Sequence, residues 1–481
     1  MNIIGRQHEK KVLDSVWQSP KAELLAVYGR RRVGKTYLLQ QYFKNKGLYF
    51  ELTGLYKATL QQQLQNFTDV YTDSFLQGRD IEPPKSWQAA FKQLRKQLDT
   101  IESTERITLF FDEVPWLDSP RSYFLTMLEN CWNRYLSQDK RVILILCGSA
   151  ASWMIKNVIN NKGGLHGRIS QEIQLLPFSI EETNQYLTAK NINYDPVQLT
   201  ELYLCLGGIP KYLSLVQRGQ SAREAINTLC FTKNGALVNE FNNLYNSLFK
   251  NAAPHMDIIR ALAKHPEGLV MDVLLKKSGL VSGGTTTGFI EDLTTSGFVA
   301  RLPNFNYKSK ESILKLIDEY SIFYLRWIEP RMQLGQTNFE KNYWLTRSQD
   351  RPWSTWAGFA FESVCWKHIN LIKQQLGISG VSTIQSAWRG SYDDQVVQID
   401  LLIERQDGCI NLCELKFSNT EFVITKSVAD SLVRKKMVFQ QATKTKKSII
   451  VTMITMHGCK KNDHYIRAVD KEVRFYTILS G

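Results

Sequence analysis

Apolar and polar positions follow three successive regimes along the chain. The first opens on a helical pattern, with Ile3, Ile4, Val12, Leu13 and Val16 apolar around Gly5 and Arg6. An unbroken apolar run at residues 24–28 predicts a strand buried on both faces, and Leu38, Leu39 and Tyr42 then recur at helical spacing. Further strands are predicted at 48–52, from Ile107 up to Asp112, in RVILILCGSA ending at Gly148 and Ser149, and at 172–176, with a polar helical region at 58–98. Strands alternating with helices in this way predict a parallel α/β sheet.

The second regime is helical from 178 to 249, broken at Gly207, Gly208 and Pro210. Residues 255–316 read as compact helices, the third at about 286–296, followed by a β-wing, and residues 319–353 as an aromatic connector. The third regime predicts helix 359–375, strands 381–388, 395–404 and 409–417, helix 425–443, and strands 448–456 and 473–479. The expected domains are therefore 1–177, 178–250, 251–318, 319–355 and 356–481 of a multidomain α/β chain.

A length of 481 residues calls for several hydrophobic cores, in line with that division. No apolar run approaches the ~20 residues a membrane helix needs, so no membrane span is expected. The amino terminus is charged where a signal peptide would be apolar, and eight cysteines are scattered without CxxC pairs, which together fit a reducing cytoplasm. Cys409 and Cys413 read as buried thiols. A formal charge of +14 favours a polyanionic partner, nucleic acid first; DNA is the expected form, although the charge itself does not separate DNA from RNA.

Candidate chemistry begins where the first strand enters Gly29, Arg30, Arg31, Arg32, Val33, Gly34, Lys35, Thr36 and Tyr37, the GxxxxGKT spacing. Glycines let the backbone N–H groups turn toward phosphate oxygens, and the helix that follows adds the positive end of its dipole. Lys35 is expected on the β- and γ-phosphates of ATP and Thr36 on Mg²⁺. Asp112 and Glu113 end a buried strand at the carboxyl edge of the sheet, where such folds bind ligands. Asp112 would hold the metal through its water shell and Glu113 would polarise the attacking water. Ser149 becomes a γ-phosphate sensor if its strand lies between the other two. Arg168, in a glycine-flanked loop, would stabilise transition-state charge in cis or across a homo-oligomer boundary.

GRRRVGKT, LFFDE, LCGSA, GRI with the later LPF, and GGIPKYL together resemble the archaeal-type AAA+ P-loop ATPase family over roughly residues 1–250. The resemblance implies a parallel P-loop core followed by a helical lid, with Lys211 where the family often has a sensor arginine. Residues 255–316 resemble a winged helix whose Lys308 and Lys310 would stand near the wing tip. The αβββαββ order after Trp356 resembles the restriction-endonuclease-like fold, and Asp400 with Glu414, Leu415 and Lys416 matches the D…ExK part of PD-(D/E)xK, with Ile399 in place of its proline.

Such a site converges two carboxylates on a second Mg²⁺ or on Mn²⁺, and sets a lysine by the attacking water. Glu414 and Lys416, two apart on a strand, share one face. The resemblance adds Glu362 as a further metal-site acid and Gln440 on the following helix. Whether Asp400 and Glu414 meet depends on one turn. A two-residue turn at Asp407 and Gly408 sets them on opposite faces, whereas a three-residue loop with Gly408 left-handed sets them opposite one another. Two functions follow: a nucleic-acid-acting ATPase whose nucleotide state controls a metal-dependent nuclease, or a regulatory NTPase switch whose later domains bind without cutting. Lys435, Lys436, Lys446 and Lys447 join the wing lysines as expected phosphate contacts.

Overall fold

Strands almost free of polar residues must be covered on both faces, and β1 (Glu23–Tyr28), β3 (Ile107–Asp112) and β4 (Val142–Gly148) are buried along their whole length. The structure, a computed structural model, describes residues 3–160, 163–165, 167–305, 312–335 and 342–479. It divides into two units, 1–177 and 178–481. In the first, β2 (Leu48–Thr53) and β5 (Gln171–Gln174) complete an all-parallel sheet ordered β2-β3-β4-β1-β5. One face is covered by helices Leu60–Phe75, Trp87–Asp99 and Phe124–Arg134. Their starts are written locally: Thr59 forms a capping box with Gln62, and Ser86 caps the next helix. Phe67, Trp87, Phe91 and Phe124 from these helices meet Phe50 and Phe111 of the sheet in mostly edge-on pairs.

The second unit starts with helices Ile180–Ala189, Pro196–Leu206, Ala222–Cys230 and Glu240–Leu248. The break at Gly207 and Gly208 has a steric cause, since a Cβ on Gly208 would stand 1.8 Å from the Phe178 carbonyl oxygen. Helices Ala253–Ala263, Met271–Ser278 and Gly284–Thr295 precede the antiparallel hairpin of β6 (Val299–Leu302) and β7 (Ile313–Leu316). The connector is built in by its aromatics: Trp344 stacks on Phe231 at 5.1 Å and meets Phe323, Trp327 and Trp353 edge-on.

A mixed sheet ordered β12-β11-β10-β9-β8 closes the chain. It is formed by β8 (Thr383–Tyr392), β9 (Gln395–Arg405), β10 (Cys409–Lys416), β11 (Ser448–Thr455) and β12 (Lys471–Arg474), and the pairs β8/β9 and β9/β10 are antiparallel, the others parallel.

Two expectations are corrected here, and the hairpin adds a finding. The last strand stops at Arg474 and residues Phe475–Leu479 are helical, because Phe475 turns into the core against Phe361, 5.2 Å away. The first helix of the region begins earlier, at Arg351, with Asp350 at its N-cap and a proline in its first turn, and runs to Lys367. The wing does not stand free. Asn304 bridges Ala387 of β8, where that strand is bulged, and the buried Phe305 packs on Phe439 at 4.9 Å. Lys308 and Lys310 lie outside the described residues.

Candidate functional site

The turn out of β1 is shaped by positions with positive φ: Gly29 (148°), Arg32 (72°) and Gly34 (92°), the last forming the N-cap of helix Lys35–Phe43. Gly29 must be glycine, since a Cβ there would lie 2.3 Å from the Leu175 carbonyl oxygen. Lys35 is buried and its ammonium donates to the carbonyls of Gly29 (2.8 Å) and Arg30 (3.0 Å) across the loop. Arg6, itself left-handed and buried, donates to the Val33 carbonyl at 3.1 Å and braces the loop from the entry segment. The guanidinium of Arg31 lies 5.7 Å from the ring of Trp116, while Arg32 and Tyr37 are exposed. Arg30 is buried.

Thr36 Oγ1 donates to Asp112 Oδ2 at 2.6 Å, so the hydroxyl and the carboxylate that would share a hydrated Mg²⁺ already adjoin. That donor set, all hard oxygen, fits the ion. The other Asp112 oxygen accepts the N–H of Glu113. Glu113 is held at φ 48°, a conformation rarely adopted by a side-chain-bearing residue, and starts the short helix Val114–Leu117. Its Oε2 accepts from the hydroxyl (2.8 Å) and the backbone N–H (3.2 Å) of Ser149. The order of the sheet explains this, because β4 lies between β1 and β3 and carries Ser149 past the end of β3. Thr36, Asp112, Glu113 and Ser149 thus form one hydrogen-bonded group. Arg168 does not join it: it lies on an exposed turn, and its side chain has no partner among the described residues.

Residues 4–216 match the model of an ATPase domain predominantly from Archaea. The chain carries an archaeal-type ATPase domain. The Walker-type ATPase of Pyrococcus abyssi has the same fold, at TM-score 0.50 and 19% identity, over 67% of this chain and 96% of that one. An uncharacterized protein of Methanocaldococcus jannaschii is 23% identical over 75% of this chain and 76% of its own. An uncharacterized ATP-binding protein of the same organism is 44% identical over 9% of this chain and 75% of its own. Among the described residues no helix is long and apolar enough to cross a membrane.

In the carboxy-terminal region Gln406, Asp407 and Gly408 form a three-residue loop, with Gly408 at φ 84°. The ladder pairs Glu404 with Ile410 through Leu401 with Cys413, and one further step sets Asp400 across from Glu414. Glu414 is ion-paired with Lys416 (2.9 Å) and Lys435 (2.7 Å), which hold its carboxyl below the usual range against the opposing pull of burial. Glu362 pairs with Lys315 of β7 at 3.2 Å. Burial first, then the charge of Asp400, pushes the Glu362 carboxyl up to about 7, and Lys315 and Lys416 act in the opposite direction. Asp400 accepts from Gln398 at 2.8 Å.

Three carboxylates and three lysines therefore share this region. Among the described residues no three acidic, histidine or cysteine side chains are gathered as a metal set; Glu362 and Glu414 are ion-paired with lysines, and Asp400 is held by Gln398. Gln440 is exposed, and Lys435 takes the place expected of it. Five residues apart on a helix of about 3.6 residues per turn, the two point roughly 140° apart. Lys435 is separated by three and four positions from the buried Leu432 and Phe439, a signal that the sequence did offer. Lys436 and Lys447 are also ion-paired, with Asp470 and Glu404, and Lys446 is exposed. All eight cysteines are free thiols, and all but Cys409 are buried.

Proposed function

We propose that the chain hydrolyses ATP and uses nucleotide state to control the action of its carboxy-terminal domain on nucleic acid. The observation that carries the hydrolytic part is the Thr36–Asp112 hydrogen bond at 2.6 Å beside a Glu113 already held by Ser149. Incoming phosphates would take the Lys35 ammonium from the Gly29 and Arg30 carbonyls and accept the loop N–H groups. Thr36 and Asp112 would hold Mg²⁺, which neutralises phosphate charge when bound. Glu113 accepts the proton of the attacking water once the Ser149 hydroxyl turns from it to the γ-phosphate, so sensing and base release are one event. Arg168, exposed on its turn, suits service to a neighbouring copy of the chain better than to its own site. Nucleotide titration together with phosphate release, with and without Mg²⁺, tests this reading. Tight ATP binding with no Mg²⁺-dependent turnover would overturn it.

For the carboxy-terminal domain the favoured reading is a Mg²⁺- or Mn²⁺-dependent nuclease of Asp400, Glu414 and Lys416, with Glu362 as a further acid. The register that sets Asp400 opposite Glu414 supports it. A second reading, binding without cleavage, is supported by the lysines that already neutralise Glu414. Plasmid, linear and single-stranded substrates with either metal, with and without ATP and with Glu414→Ala as control, separate the two. Cleavage by wild type that is absent in the variant selects the nuclease, whereas retention of substrates without cleavage selects the switch.

A further inference from the structure

Beside the nucleotide loop the first unit carries a row of two aromatic rings with a cation at each end. Lys57 lies 5.2 Å from the ring of Tyr56, Tyr56 is 5.3 Å from Trp116, and Arg31 lies 5.7 Å from the other ring of the row. Tyr56 is 57% exposed and Leu55 next to it 41% exposed. Exposed side chains of this size are ordinarily on mobile loops, but here the backbone beneath them is locked. The Gly54 N–H donates to the Asp112 carbonyl at 2.9 Å, and a Cβ on Gly54 would come within 2.7 Å of the Glu113 carbonyl oxygen. Gln63, fully buried, exchanges two hydrogen bonds with the backbone of Leu55 and donates a third to the Trp116 carbonyl at 3.0 Å. The segment after β2 and the segment after β3 are thereby one rigid platform, with an aromatic top and a positive charge at each end.

We infer that this row is a stacking surface for single-stranded nucleic acid, with bases on Tyr56 and Trp116 and the backbone phosphates on Lys57 and Arg31. The inference deepens the proposed action on nucleic acid and rests on it. Stacking on an aromatic ring needs an unpaired base face, which a duplex hides, so single strands are preferred over duplex. A second copy of the chain is a poor occupant, since each carries a formal charge of +14 and this face is cationic. The position also links binding to hydrolysis. Arg31 belongs to the phosphate loop, and the Trp116 N–H donates to the Glu113 carbonyl at 2.8 Å, so a bound strand touches both sides of the nucleotide site through its neighbours.

The test uses the full chain and a fluorescein-labelled oligothymidylate of about 20 nucleotides, longer than the ~4–16 nucleotide footprint of a single-strand-binding module. By anisotropy at low salt, Tyr56→Ala should weaken binding about 5- to 100-fold, and Tyr56→Phe should retain it, because stacking needs the ring and not the hydroxyl. Nucleic-acid-free ATP hydrolysis should be the same in Tyr56→Ala as in wild type, which also shows that the variant is folded. Irradiating the wild-type complex with an iodouridine-substituted strand should crosslink to Tyr56 or Trp116. A wild type that binds no strand removes both this surface and the nucleic-acid reading. Binding that is undiminished in Tyr56→Ala, with crosslinks elsewhere, removes the surface and leaves that reading in place. Equal, Tyr56-insensitive affinity for duplex removes the stacking argument, and displacement of the strand only by an acidic peptide would reassign the row to a protein partner.

Discussion

Replacing Glu362 by glutamine should change how stability depends on pH, and the size of the change follows from its surroundings. The side chain retains 12% exposure, burial and the Asp400 charge raise its carboxyl to about 7, and the ordinary value is 4.5. As pH rises the unfolded chain gives up this proton first, so between those two values the folded state binds more protons and stability falls with pH. At 1.36 kcal/mol per tenfold, the loss between about pH 5 and about pH 8 is about 2.5 kcal/mol, complete once pH has passed the folded value. Glu362→Gln lacks this decline and should gain on wild type by that amount over the same interval. The variant strands Lys315, so the double change Glu362→Gln with Lys315→Met is the cleaner comparison. Urea midpoints of the segment that includes helix Arg351–Lys367, followed by hydrogen exchange, give the reading. If the centre takes a divalent cation, Mn²⁺ at about pH 8 should restore wild type and leave the glutamine variant unchanged. Parallel pH profiles for wild type and variant would refute the reasoning, because Glu362 would then titrate as an ordinary solvated acid.

Three further outcomes are expected. Lys35→Ala should lose nucleotide affinity in a direct titration, whereas Glu113→Gln should keep it and slow phosphate release by ~10²-fold or more. Gly54→Ala should cost about 1–3 kcal/mol through overpacking, and reduce turnover with little change in ATP affinity because the added methyl presses on the Glu113 carbonyl. Phe305→Ala should destabilise the region by about 3–5 kcal/mol and raise hydrogen exchange in β8, since this one ring fills the space between Trp388, Phe439 and the hairpin.

What could be read in the sequence was whatever a short window decides. β1, β3 and β4 show as continuous apolar runs because parallel strands are buried on both faces, and the acids and glycines at their ends fall in the same short windows. The position of β4 between β1 and β3 is a tertiary fact, which left the role of Ser149 conditional until the sheet was seen. The loop at Gln406, Asp407 and Gly408 is similar, since its residues permit two turns and the choice lies in the ladder on either side. Lys315 was missed for a different reason. In ILKL it reads as the solvent-facing residue of an alternating strand, yet it is only 5% exposed because the acid it meets comes from a helix some fifty residues later. Phe305, in the polar stretch NFNYKSK, had only Tyr307 two positions on as a hint of period.

The winged segment is where these misses converge. A helix that reads a DNA groove needs donors on its outer face, but Gly284–Thr295 carries Glu291 and Asp292, which pair with Arg301 and His255 of the same segment. Its acids therefore serve its own packing, and its charge does not suit a phosphate surface. The hairpin, meanwhile, holds the carboxy-terminal region at two points: Asn304 bridges β8 and Phe305 packs on helix Lys426–Thr443 from one arm, and Lys315 on the other arm pairs with Glu362 of helix Arg351–Lys367. Any movement of β7 must alter the charge balance around Glu362, Asp400 and Glu414, because a buried cation leaves with it. The segment is thus better placed to set the state of the carboxylate centre than to choose a DNA sequence.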